Sequence, residues 1–306
     1  MQPSMSVDFC GVRFKNPVVT ASGTFGFGRE YAAFYDLSEL GGICIKGITP
    51  KKRLGNPPPR IAETPMGILN SVGLQNPGVD AFLRDELPFL KQFDTRIIAN
   101  ISGNTVSEYC EMAEKLSDSD VDLIEMNISC PNVKAGGMAF GTSPTMVSEV
   151  VSETRKHAGK PVVVKLSPNV ADIAEIAVAA EGAGADALSL INTILAMRID
   201  IRTRRPILHQ NLGGLSGPAI FPVALRMVYQ VKRAVKIPLI GMGGIRTGED
   251  AVEMMLAGAS LVAVGTASFS EPTAPLLVRD GIEGYLAADG IGGVGELCGA
   301  VEEYRD

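Results

Sequence analysis

Residues 238–267 read PLIGMGGIRTGEDAVEMMLAGASLVAVGTA, and this stretch holds the unit from which the rest of the chain is built. Pro238–Gly241 is a short apolar run that passes into Gly243-Gly244. Thr247, with Asp250 three residues on, forms a capping box that predicts a helix start, and Gly258 supplies its stop. Leu261–Val264 is a second apolar run, and it too ends in a small polar turn, Gly265-Thr266. Apolar runs without alternation are what a parallel sheet buried on both faces requires.

Working outward, the same unit recurs. Val18–Ala21, Ile43–Lys46, Ile97–Ile101, Leu123–Asn127, Val162–Leu166 and Ala187–Ile191 complete a set of eight predicted strands. Between them, Ser143-Pro144 supplies a cap and an N1 proline, with Met146, Val147, Val150, Val151 and Thr154 on one helix face before Gly159 and Pro161. Asn169 is expected to open the next helix, with Ile173, Ile176, Ala177 and Ala180 facing inward. An open sheet of eight strands would leave two exposed edges, so the alternation predicts a closed (β/α)8 TIM barrel. Two gaps, Gly47 to Arg96 and Asn192 to Ile237, are too long for simple crossovers and predict insertions after strands 2 and 6. A chain of 306 residues without a low-complexity linker fits one barrel domain, residues 1–306.

Composition narrows the function. Lys and Arg number 28 against 34 Asp and Glu, a net charge of −6, so there is no basic surplus for nucleic acid or an anionic membrane. The 34 glycines exceed the usual ~7% share, which implies many tight turns or close backbone approaches. Cys10, Cys44, Cys110, Cys130 and Cys298 are scattered with no C-x-x-C pair, so neither a disulfide framework nor a metal site is expected. Met1 to Phe14 carries Asp8 and Arg13 with no basic start followed by an apolar core, and the uncharged run Met254 to Ser270 contains Ala, Gly, Ser and Thr. No leader and no membrane span is expected, and a cytoplasmic location follows.

The chemistry stands at the strand ends. Ser22, Lys46, Asn100, Asn127, Lys165 and Asn192 sit at or just past six of them. In a barrel all would point into one mouth, the C-terminal face where barrel active sites form. One Asn at a strand end is ordinarily a turn former, but two lysines and three carboxamides together are costly near an apolar barrel unless a ligand uses them. Gly243-Gly244 and Gly265-Thr266 follow strands 7 and 8, where barrels hold a phosphate on backbone N–H groups. Neither of these segments forms G-x-G-x-x-G, nor does Gly23-Thr24-Phe25-Gly26-Phe27-Gly28, so no Rossmann dinucleotide site is expected at them. Cys130 differs from the other cysteines in context: it lies in Asn127-Ile128-Ser129-Cys130-Pro131-Asn132, before a glycine-containing loop, where a thiol can act as a base. Neither His157 nor His209 is placed to pair with it.

At these residues the chain resembles the soluble-class dihydroorotate dehydrogenases, in particular the NAD-linked type B catalytic subunit. The matching segments include Ala21-Ser22-Gly23-Thr24-Phe25-Gly26, Ile45-Lys46-Gly47, Asn70-Ser71-Val72-Gly73-Leu74-Gln75-Asn76-Pro77-Gly78, Asn127-Ile128-Ser129-Cys130-Pro131-Asn132, Val164-Lys165-Leu166-Ser167-Pro168, Ile191-Asn192-Thr193, Gly213-Gly214-Leu215-Ser216-Gly217 and Gly241-Met242-Gly243-Gly244-Ile245. They run in order through nearly the whole chain. The resemblance implies an FMN flavoprotein that oxidises (S)-dihydroorotate to orotate in pyrimidine biosynthesis, with Cys130 as the base. It further implies FMN contacts from Ser22, Lys46, Gly47, Asn100, Asn127, Lys165, Ile191, Gly217, Gly243, Gly244, Gly265 and Thr266. Substrate contacts would come from Lys46, Asn70, Ser71, Val72, Gly73, Leu74, Asn127, Asn192 and Thr193. Electrons would leave through a partner subunit carrying FAD and a [2Fe–2S] cluster, in a heterotetramer built on a homodimer, with NAD⁺ as final acceptor. Ala196 departs from the family pattern, which has glycine there. Two other readings stay open from the residues alone, a Schiff-base aldolase using Lys165 and a binding module without catalysis.

Overall fold

A computed structural model describes residues 3–128 and 140–304. Eight parallel strands close into a barrel in sequence order: β1 (Val18–Thr20), β2 (Gly42–Cys44), β3 (Arg96–Ile101), β4 (Leu123–Asn127), β5 (Val162–Lys165), β6 (Ala187–Leu190), β7 (Leu239–Met242) and β8 (Leu261–Val264). Closure runs through β8 beside β1, with Ala263 opposite Val19, so the barrel has no edge. All eight strands coincide with the apolar runs read from sequence, to within one or two residues at their ends.

Helices cover the outside. They are α1 (79–90, with a π-helical middle), α2 (Val106–Ser117), α3 (Pro144–His157), α4 (Ile173–Gly182), α5 (Phe221–Ala234), α6 (Gly248–Leu256) and α7 (Ala274–Ala288). The capping box at Thr247 and Asp250 forms as expected. Two expectations fail. Asn169 does not open α4; Asp172 does, its carboxylate accepting from Ala174 N at 2.8 Å, because the loop 166–171 carries Asn169 into the barrel mouth instead. No α-helix follows β1 either. Its crossover is made of 3₁₀ turns at Tyr31–Ala33 and Leu37–Glu39, anchored by Tyr31 stacking on the buried Phe25 with centroids 4.1 Å apart.

Strand alternation sorts the side chains. On β3, Ile97, Ala99 and Ile101 pack outward under the helices while Ile98 and Asn100 face the barrel interior; on β5, Val162 and Val164 face out, Val163 and Lys165 in. The interior fills in layers contributed by alternate strands. Val19, Ile98, Val163 and Ile240 form one; Cys44, Glu125, Ser189 and Ala263 lie above it; Ala21, Asn100, Lys165 and Met242 come next, at the mouth.

The N-terminal end is sealed by a hairpin, Val7–Phe9 paired with Val12–Phe14, whose two-residue turn places Cys10 and Gly11 at φ 55° and 76°. It drives Phe9 and Phe14, both fully buried, against the lowest barrel layers. At the other end the two long loops meet. Ile61–Thr64 and Gly67–Asn70 from the insertion after β2 pair with Ile194–Ala196 and Gly213–Ser216 from the insertion after β6, giving one four-stranded antiparallel sheet over the mouth. Ala196 sits opposite Gly213 in that sheet, so its extra methyl faces a residue without a side chain. Among the described residues no helix is long and apolar enough to cross a membrane.

Candidate functional site

Between the barrel mouth and the antiparallel sheet lies a cavity of about 620 Å³, within the size range of small-molecule sites. Its floor is the top barrel layer and its roof includes Ile61, Ile68, Leu195 and Gly214. Every residue expected to hold cofactor or substrate lines it: Ser22, Lys46, Gly47, Asn100, Asn127, Lys165, Ile191, Gly217, Gly243, Gly244, Gly265 and Thr266, with Asn70, Ser71, Val72, Gly73, Leu74, Asn192 and Thr193. Cys130 lies outside the described residues.

The glycine segments form one wall. Gly243 and Gly244 take φ 125° and 85°, and a Cβ on them would stand 2.8 Å from Ala224 Cβ and Phe221 Cβ respectively. Main chain, not side chain, must therefore face the cavity after β7. Beside it, Thr266 Oγ1 donates to Ser216 Oγ at 2.8 Å, tying the turn after β8 to the roof.

Carboxamides form another wall. Asn192 Nδ2 donates to Asn127 Oδ1 at 3.3 Å, and Asn192 Oδ1 accepts from Thr193 N at 2.7 Å. Asn70 Nδ2 donates to Gly214 O at 3.3 Å across the roof. Asn169, taken from sequence as a helix start, accepts from Leu195 N at 2.9 Å and donates to Thr193 O at 3.0 Å, bracing the roof strand from below. These groups both donate and accept, which suits a planar ligand bearing ring amides.

The floor is electrostatic. Lys165, only 4% exposed, donates from Nζ to Ser22 Oγ at 3.1 Å and stands 3.9 Å from Glu125 Oε2. Glu125, like Asn169, is a site residue that sequence reading missed. Its signal was a charge in the middle of Leu123-Ile124-Glu125-Met126-Asn127, at a position whose parity with Leu123 and Asn127 turns it inward. Cys44 donates from Sγ to Glu125 Oε2 at 3.2 Å. Burial first, and then the charge of Glu125, push that thiol well above its ordinary pKa, so it stays a neutral donor.

Fold and site together define a (β/α)8 barrel with a roofed, lysine- and carboxamide-lined binding cavity at its C-terminal face. The family model described as dihydroorotate dehydrogenase matches residues 4–286. The chain is 60% identical over 296 residues to the protein of Alkaliphilus oremlandii (strain OhILAs) named dihydroorotate dehydrogenase B (NAD(+)), catalytic subunit, covering 97% of this chain and 98% of that one. Proteins of the same name from Alkaliphilus metalliredigens (strain QYMF) and Caldicellulosiruptor bescii are 59% and 55% identical over 298 residues, each covering 97% of this chain and 99% of theirs. The chain belongs to the dihydroorotate dehydrogenase family.

Proposed function

We propose that this chain is the catalytic subunit of an FMN-dependent, NAD⁺-linked dihydroorotate dehydrogenase, oxidising (S)-dihydroorotate to orotate in pyrimidine biosynthesis. The observation that carries the reading is the convergence of a glycine-walled pocket, a buried lysine and a carboxamide cluster in one roofed cavity, in a chain of this family. The residues present fit FMN. Among the described residues Asn100 Oδ1 is buried without a hydrogen-bond partner, which suits a ring N–H, and the backbone wall at Gly217, Gly243, Gly244, Gly265 and Thr266 suits the phosphate.

Bound FMN supplies the hydride acceptor. The protein does the rest. Lys165 offers positive charge where two-electron reduction leaves negative charge on the cofactor. Lys46 meets the substrate carboxylate, and Asn70, Asn127 and Asn192 hold the ring amides in one orientation. Cys130, three residues past the end of β4 in sequence, removes the proton next to the carbon that gives up hydride. The roof sheet covers the cavity that Lys46, Lys165 and the carboxamides line. With no strand-anchored G-x-G-x-x-G and no clustered cysteine set, the chain would need a second subunit to reach NAD⁺, one carrying FAD and [2Fe–2S] in a heterotetramer built on a homodimer.

The test is anaerobic. Mixing the purified yellow protein with dihydroorotate should bleach its flavin band within one turnover, and dyes should accept the electrons while NAD⁺ accepts them only after the partner is added. A protein that purifies without FMN, or whose flavin stays oxidised with dihydroorotate, refutes the assignment; rapid NAD⁺ reduction by the single chain refutes the partner.

A further inference from the structure

The proposed chemistry uses Lys165 and Asn100 and leaves Glu125 without a role, although a carboxylate in a barrel core is costly to bury. Glu125 is 1% exposed and lies one layer beneath both residues. Its oxygens divide the work. Oε2 accepts from Asn100 Nδ2 at 2.5 Å and from Cys44 Sγ at 3.2 Å, and faces Lys165 Nζ at 3.9 Å; Oε1 accepts from Ser189 Oγ at 2.7 Å.

The chemistry of the donor set decides how Asn100 points. An ionised carboxylate only accepts, so the amide nitrogen of Asn100 must face Glu125 and the amide oxygen must face away. That oxygen is buried without a hydrogen-bond partner among the described residues, in a residue that lines the cavity. A glutamine at 125 would remove this constraint, since its amide can donate or accept. It would also leave the ammonium of Lys165 without its nearest counter-charge.

We propose that Glu125 is a positioning residue for the cofactor: it orients Asn100 so that Oδ1 receives a flavin ring N–H, and its charge against Lys165 holds the FMN reduction potential down. This rests on the FMN reading above and adds to it a residue that acts through two others. A negative charge near the ring disfavours the reduced, more negative cofactor.

The experiment uses the FMN-loaded protein and three variants, Glu125→Gln, Glu125→Asp and Ser189→Ala, with two readouts besides turnover. One is the FMN midpoint potential by spectroelectrochemistry; the other is FMN affinity by fluorescence on reconstitution of the stripped protein. Glu125→Gln should raise the two-electron equilibrium constant for reduction at least tenfold, an upward shift of about 30 mV, and weaken FMN binding about tenfold or more. Glu125→Asp keeps the charge but cannot reach both Asn100 and Ser189, so its potential should stay near the parent's while affinity falls. Ser189→Ala, which loses only the far-side donor, should weaken FMN binding about two- to tenfold, and with Glu125→Asp it carries the test if Glu125→Gln does not fold. A folded Glu125→Gln with unchanged or lowered potential overturns the proposal, as does unchanged FMN affinity in both Glu125→Asp and Ser189→Ala. A parent protein that binds no FMN overturns the cofactor reading itself, and this one with it.

Discussion

The two ends of the barrel are built from the same eight strands and could hardly differ more in content. At the N-terminal end the hairpin plugs the barrel with Phe9 and Phe14, rings edge to face at 6.1 Å, over Leu123, Ala187 and Leu261. At the C-terminal end two layers hold Glu125, Ser189, Asn100 and Lys165, and above them stands a cavity. One end is finished mainly by packing, and its polar groups, such as Asn16 and Cys10, find partners within the protein. The other buries Lys165 and Glu125 against each other and against Ser22, Asn100 and Ser189 beneath a cavity, so stability is expected to reside mainly at the bottom and chemistry at the top.

Substitutions can break that division. The largest effect is expected at the top, from Cys130→Ala: FMN retained, unfolding midpoint nearly unchanged, and dihydroorotate oxidation at neutral pH down about 10²- to 10⁴-fold, the usual contribution of a general base. Steady-state rates beside a thermal melt check it, and activity within about twofold of the parent would remove Cys130 from the mechanism.

Phe14→Ala probes the opposite end. Emptying a fully buried aromatic site should cost about 3–5 kcal/mol of stability, read by denaturant unfolding, while the FMN absorption of the folded fraction and its affinity for orotate stay as in the parent. A selective loss of cofactor affinity with little loss of stability would show that the plug and the mouth are coupled through the barrel.

The smallest effect is a pH dependence at the plug. Burial, followed by the charges of Asp186 and Asp8, pushes the Cys10 thiol from 9.0 up to about 12. A raised folded pKa means that the native state favours the neutral thiol. The contribution is therefore complete below pH 9 and is lost as pH rises through about 12. Between those limits the stability of the parent should decline more steeply than that of Cys10→Ala, and identical slopes would remove Cys10 from the account. Slow alkylation of Cys10 at pH 8 in the native protein is the companion observation.

Much of this is legible in the sequence. Runs such as Val162–Lys165 are apolar on both faces, and only a covered parallel strand uses such a run. The polar residues that end these runs announced the mouth, because strand direction alone puts Lys46, Asn100, Asn127 and Lys165 at one face. The glycines after β7 and β8 were equally local, since their requirement is a backbone conformation. Helix starts were legible where a capping box spelled them out, as at Thr247, and misread where two acceptors competed, as at Asn169 and Asp172.

What sequence could not decide is whatever depends on two distant segments meeting. Asn70 stands opposite Gly214 because loops 144 residues apart share a sheet, and no local pattern fixes that register. The Phe9 and Phe14 hairpin has nothing to plug until the barrel closes over it. Glu125 reads as an isolated charge in a strand until closure sets β3, β5 and β6 around it. Periodicity reports which way a side chain points, since that is set by the backbone of its own strand; what it meets there is set by barrel closure and stagger, which belong to all eight strands at once.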